Sequence, residues 1–313
     1  MHIPDGFLDT KTVIATATLA TVGISFAFRH LKKSATPQQV PLIGLSAAFV
    51  FVAQMLNFPI AAGTSGHFMG TGLITMLLGP SAAIIIMSAV LVVQCLLFAD
   101  GGLISLGANI FNMAIAGALV SYVIQKTIER FIPAVQGKLI ATGVSSWSAT
   151  VIASILCAGE LAWSMTVSWS AAFTAMTNIH MLIGIAEGTI AIIVVAGVLK
   201  SRPEIIRNSN LQQQKPSVST KLIYVAILII GIMIFVTPFI TELPDGLERV
   251  ASVLGFDHKA IEQPVLSAPF PDYNLGIFSS PAIATIAAGF IGITIVFILS
   301  FILSKSITTK NHN

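Results

Sequence analysis

A chain of 313 residues that is 55% hydrophobic and only 9% charged, with a mean hydropathy of +0.90, lies far outside the soluble globular range and reads as a polytopic membrane protein. Its formal net charge of +3 gives no reason to expect nucleic acid as a partner. The two cysteines, Cys95 and Cys157, stand in apolar runs without Cys-x-x-Cys or Cys/His spacing, so packing is expected of both rather than a disulfide or a thiolate ligand.

The opening residues, Met1-His2-Ile3-Pro4-Asp5-Gly6-Phe7, precede any apolar segment. A secretory leader would start basic and run into a short apolar core, so Met1 is expected to be the mature terminus. Residues 12–28 form the first apolar run, followed by Arg29-His30-Leu31-Lys32-Lys33, a cluster of the kind retained in the cytoplasm. The second run, 40–60, carries Gln54 and Asn57 on one helical face and leads into a small, flexible external loop, Ala61-Ala62-Gly63-Thr64-Ser65-Gly66-His67. Residues 68–78 are apolar but make only about 16 Å of helix against a hydrocarbon core of about 30 Å.

Charge decides whether that short run crosses. If it does, spans follow at 81–98, 103–125, 139–163, 177–199, 222–240 and 282–303, and every Lys and Arg except Lys11, Arg249 and Lys259 falls on the inner side. If it does not, most of those cations lie outside. The short run is therefore expected to cross, shielded by its neighbours and broken at Gly79-Pro80. The fold class expected is an all-α transmembrane bundle with the N-terminus outside and the C-terminus inside. A seven-helix module spans 1–207, a polar linker 208–220, and a two-helix module 221–313, the last enclosing an external loop at 241–281 long enough to fold. The recurrence of Pro-Asp-Gly at 4–6 and 244–246 reads as chance.

A free α-amine beside a histidine offers three nitrogens, the Met1 amine, the His2 backbone nitrogen and the His2 imidazole, which close chelate rings on one metal ion. With a fourth nitrogen the set suits the planar preference of nickel(II) or copper(II). His67, outside and at the end of a Gly-Thr-Ser-Gly loop, is the candidate fourth ligand, although a lone loop histidine also serves as a cap or a surface residue. Asn109, Asn112, Glu160, His180 and Glu187 lie at similar depth and are expected to face inward, either orienting the imidazoles or bonding helix to helix. Gly44/Ala48 and Gly184/Gly188 are small-residue faces that would suit a partner chain. No P-loop, His-Glu-x-x-His or Gly-x-Ser-x-Gly pattern occurs, so an energy source or hydrolytic chemistry of those types is not encoded here.

The opening Met1-His2-Ile3-Pro4-Asp5-Gly6-Phe7-Leu8, the segment Gly63-Thr64-Ser65-Gly66-His67, and the run Asp100-Gly101-Gly102-Leu103 through Gly107-Ala108-Asn109 resemble the CbiM/NikM family, the substrate-binding components of energy-coupling-factor importers for cobalt and nickel. The tail, with Pro244-Asp245-Gly246-Leu247-Glu248, looks like the PDGLE-type companion subunit. The resemblance implies a non-enzymatic subunit. It also implies Ni²⁺ or Co²⁺ as transported substrate, held by Met1, His2 and His67, with a transmembrane coupling subunit and cytoplasmic ATPase subunits as partners. Because an α-amine titrates near about 7.7 to 8 and histidine near about 6.5, metal capture should weaken as pH falls. Two other readings stay open, a stand-alone metal channel or carrier and a non-transport assembly or sensor subunit.

Overall fold

The computed structural model describes residues 1–36, 39–61, 63–201, 229–234, 236–237, 241, 243–261 and 266–308. The expected linker at 208–220 and much of the expected span at 222–240 lie outside the described residues. Among those described, six helices are long and apolar enough to cross a membrane. They are α1 (Thr10–Ser34), α4 (Pro80–Phe98), α5 (Leu106–Phe131), α6 (Ala134–Trp163), α7 (Trp169–Ser201) and α9 (Pro281–Thr308). Shorter elements complete the set: α2 (Gln39–Met55), a hairpin of β1 (Asn57–Ala61) and β2 (Thr64–His67), α3 (Thr71–Leu78), and α8 (Gly246–Leu254).

Burial follows the logic of a bundle in lipid. The sides of α1 carry exposed Ile14, Leu19, Val22 and Phe26, whereas α4 is buried almost throughout and forms the centre. The short α3 is shielded as expected. Its Thr71 to Thr75 stretch is buried, Gly72 lies directly against the backbone of Ser146 in α6, and Gln125 of α5 donates to the Gly72 carbonyl at 2.9 Å. Gly79, at φ +83, ends it, and Pro80 opens α4, where a missing N–H costs nothing.

Three expectations change. The second span stops at Met55, and Asn57 lies in β1 rather than on a helical face with Gln54, because Pro59 disfavours helix in the residue before it and the chain turns extended. The segment ahead of His67 is a strand with Thr64, Ser65 and Gly66 all buried, paired Asn57 to His67 and Phe58 to Gly66. Its edge is closed by Ser65 N donating to the Pro244 carbonyl at 2.8 Å. Finally, the small-residue faces are occupied by the chain itself. A side chain at Gly44 would meet Phe297 of α9, and one at Gly188 would meet the Gly143 carbonyl of α6, so these faces seat α9 and α6 and are not open to a partner chain.

The long loop folds into α8 and two short 3₁₀ turns, Asp257–Lys259 and Pro271–Tyr273, which lie over the N-terminal residues. Phe256 packs edge-on against Phe7, Ile261 N donates to the Asp5 carbonyl, and Tyr273 stacks on Phe98 with ring centroids 4.7 Å apart. Cys95 and Cys157 are buried free thiols, in line with packing.

Candidate metal-binding site

The first eight residues thread back into the bundle. Pro4-Asp5-Gly6 makes a turn in which Gly6 takes φ +97, a conformation that suits glycine, and where any Cβ would collide with the Lys259 carbonyl. Asp5 turns inward and accepts from the amides of Leu103, Ile104 and Ser105 at 2.8–3.1 Å, which ties the turn to the segment before α5. Ile3 is held on both sides of its backbone by one side chain: its N–H donates to Asn109 Oδ1 at 2.8 Å and its carbonyl accepts from Asn109 Nδ2 at 3.1 Å. Gly102 N adds a bond to the same carbonyl at 2.9 Å.

This clamp delivers Met1 and His2 to the end of β2. The Met1 amine lies 2.7 Å from His67 Nε2 and 2.8 Å from Asp245 Oδ2. The His2 ring stacks on the His67 ring, centroids 5.2 Å apart and planes 14° from parallel, and its Nδ1 lies 2.9 Å from Asp100 Oδ1. His2 Nε2 and His67 Nδ1 are buried without a hydrogen-bond partner among the described residues. Tyr273 donates its hydroxyl to Asp100 Oδ2 at 2.5 Å and so braces the carboxylate that braces His2.

His67 is itself placed from below. Glu187 of α7 accepts from Met69 N at 2.7 Å and Gly70 N at 2.8 Å, gripping the turn between β2 and α3, and Gln54 donates to the Met69 carbonyl. His180 lines a cavity together with Met1, His67, Met69, Met113 and Asp245. Its Nδ1 bonds the Met176 carbonyl at 2.8 Å, which leaves Nε2 as the nitrogen with the lone pair. Asn112 and Glu160 bond each other at 2.8 Å, Asn112 within a π-helical stretch of α5, and each keeps one buried oxygen without a partner among the described residues. Thus Met1, His2 and His67 meet, Asn109 and Glu187 hold the backbone that carries them, His180 borders the same space, and Asn112 and Glu160 form a separate pair.

Electrostatics at the site separate acids from bases. Burial, then the Met1 ammonium and the nearby His2, hold the His67 imidazole well below its ordinary range, so it stays neutral with a lone pair to offer. Burial would raise Asp245 and Asp100, but at Asp245 the Met1 ammonium and the hydrogen bonds from it and from Glu248 N outweigh it. At Asp100, His2 and the Tyr273 hydroxyl do so, and both carboxyls remain below the usual carboxylate range. Asp100, Asp245 and Tyr273 were not singled out in the sequence as site residues; the signals available were the Asp100-Gly101-Gly102 run and the second Pro-Asp-Gly, each lacking any indication of what it would touch.

One pH dependence follows from His67. Below about pH 6.5 an unfolded chain protonates this histidine while the folded chain resists, so its contribution to stability is complete above that value and declines as pH falls toward the depressed folded one. Thermal unfolding of metal-free protein in detergent should therefore weaken from pH 7 to pH 5.5 by up to one proton's linkage. A His67→Gln variant should lose that part of the slope; an identical slope would show that His67 is not buried neutral.

A family model described as the cobalt uptake substrate-specific transmembrane region, CbiM, matches residues 2–205, and a PDGLE domain model matches residues 219–309. A putative fused nickel transport protein NikMN from Archaeoglobus fulgidus is 36% identical over 314 residues, covering 97% of this chain and 98% of its own. The fused nickel transport protein NikMN of Rhodobacter capsulatus is 33% identical over 221 residues, 66% of this chain and 64% of its own. Among solved structures, a crystal structure of a transition metal transporter aligns with a TM-score of 0.60 at 30% identity, covering 65% of this chain and 95% of that one.

Proposed function

Because the chain belongs to the CbiM family of cobalt-uptake transmembrane proteins, with a PDGLE domain in the same polypeptide, we propose that it is the substrate-capture subunit of an energy-coupling-factor importer that takes Ni²⁺, or Co²⁺, at an all-nitrogen site built on its own N-terminus. It is a cobalt/nickel transport component of the CbiM/NikM type and a non-enzymatic membrane protein. The ligands in this reading are the Met1 amine, the His2 backbone nitrogen and Nδ1, and His67 Nε2.

The observation that carries the reading is the 2.7 Å separation of the Met1 amine and His67 Nε2. Two nitrogens each about 2.0 Å from one metal and at right angles lie roughly 2.8 Å apart. The pair already has the spacing of neighbouring planar ligands. Completing the set requires His2 Nδ1 to leave Asp100 and turn to the metal, after which Nε2, buried and without a partner among the described residues, would be the nitrogen open to that carboxylate. A carboxylate on the outer nitrogen of a ligating imidazole is the usual arrangement for fixing its tautomer. Planar nitrogen coordination including a backbone nitrogen favours nickel, tolerates cobalt and disfavours zinc.

In this reading the site faces outward and Lys- and Arg-rich loops face the cytoplasm. Power comes from ATPase subunits acting through a transmembrane coupling subunit. Proteoliposomes test this. The chain alone should bind nickel and admit none to an internal metal-sensitive dye, whereas membranes containing the full importer should admit it with ATP. Nickel entry through the chain alone would favour a stand-alone carrier and overturn the importer reading.

A further inference from the structure

Asp245 of the PDGLE segment places a carboxylate in the site that the proposed ligand set does not use. Its oxygens have separate tasks. Oδ1 accepts from Leu247 N and Glu248 N at 2.8 and 2.9 Å and caps α8, while Oδ2 lies 2.8 Å from the Met1 amine. The amine therefore has two directed contacts, one toward His67 Nε2 and one toward Asp245. A metal would replace the hydrogen on the His67 side. A coordinated amine retains two hydrogens, so the bond to Asp245 is compatible with the loaded site.

The position of Asp245 is not left to the loop alone. Ser65 N donates to the Pro244 carbonyl at 2.8 Å and Ser65 Oγ to the Leu243 carbonyl at 2.6 Å, so the residues just before Asp245 are tied to the strand that ends in His67. A fourth-ligand imidazole and a carboxylate on the amine are thereby mounted on a shared edge. Tyr273 of the same loop reaches the other half of the terminus through Asp100 and His2.

We propose that Asp245 is a positioning residue of the metal site: it fixes rotation about the Met1 N–Cα bond so that the amine presents its lone pair toward the metal beside His67, which makes the PDGLE module part of the site. The proposal rests on the reading of the Met1 amine as a ligand. Its chemistry is that of an outer carboxylate orienting a ligating nitrogen, and removal of such partners costs about tenfold to a hundredfold in metal affinity.

Nickel titrations of the full chain in detergent, read by a competing chromophoric chelator and by the absorption of planar nickel, test it. Asp245→Ser keeps a good helix cap and loses the second oxygen. Asp245→Asn is isosteric but has one acceptor for the two tasks. Both should still bind one nickel per chain about tenfold to a hundredfold more weakly, with a shifted planar band. If the serine variant fails to fold, the asparagine variant decides. Wild-type affinity and spectrum in a folded variant would overturn this inference and leave the N-terminal ligand set standing. Wild-type protein that binds no nickel, or binds it without planar absorption, would overturn the underlying reading instead.

Discussion

A chain extended by one residue ahead of Met1 is expected to keep its helical fold and to bind no nickel at the N-terminal site. The Met1 amine is held between His67 Nε2 and Asp245 Oδ2, and Met1 is only 8% exposed, so an added residue has no room to leave the site. It also turns the amine into an amide, which must lose its proton before it can bind metal, and removes the charge paired with Asp245. The helices do not depend on that contact, since Asn109 and Asp5 anchor the residues behind it. Equilibrium dialysis of nickel against native and extended protein, with circular dichroism on both, is the measurement. Full loading of the extended chain with unchanged affinity and planar absorption would overturn the reading of the Met1 amine as a ligand.

Glu187→Ala is expected to lower stability by about 2–6 kcal/mol and to weaken nickel binding as well. The residue is fully buried, and its two oxygens accept from Met69 N and Gly70 N. Truncation leaves both amides unpaired in the interior, at about 1–3 kcal/mol each. The effect reaches the metal because His67 is two residues earlier on the same turn. Glu187→Gln retains one acceptor and should fall between wild type and alanine. Thermal unfolding and nickel affinity, measured together, check this; an alanine variant unchanged in both would mean that the turn holds His67 without Glu187.

Much of the helical plan was legible because hydropathy and charge act segment by segment. The apolar runs at 12–28, 81–98, 139–163, 177–199 and 282–303 fall within helices, the run at 103–125 becomes helical from Leu106, and Gly79-Pro80 separates α3 from α4 as its chemistry requires. The hairpin at Asn57–Ala61 and Thr64–His67 was not, since residues 57–60 read as the end of an apolar run and 61–67 as a small flexible loop until α7 and Pro244 close on them. Gly44 and Gly188 show the same limit in reverse. A small-residue face announces close packing without naming the helix that fills it.

The site divides in the same way. By itself the sequence determined its chemical substance: an amine and an imidazole adjacent in the chain, a histidine after a glycine-rich segment, and a module with the wrong composition for water. These are properties of residue type and of neighbours along the chain, which need no folding to read. Only the tertiary structure decided that Asn109 grips Ile3, that Glu187 carries the turn behind His67, and that Asp245, 244 residues from Met1, lies against its amine. The second Pro-Asp-Gly, which looked like coincidence, supplies that carboxylate. Hydrogen bonds form between atoms within about 3 Å of each other, and where two distant segments meet is set by the packing of every helix between them.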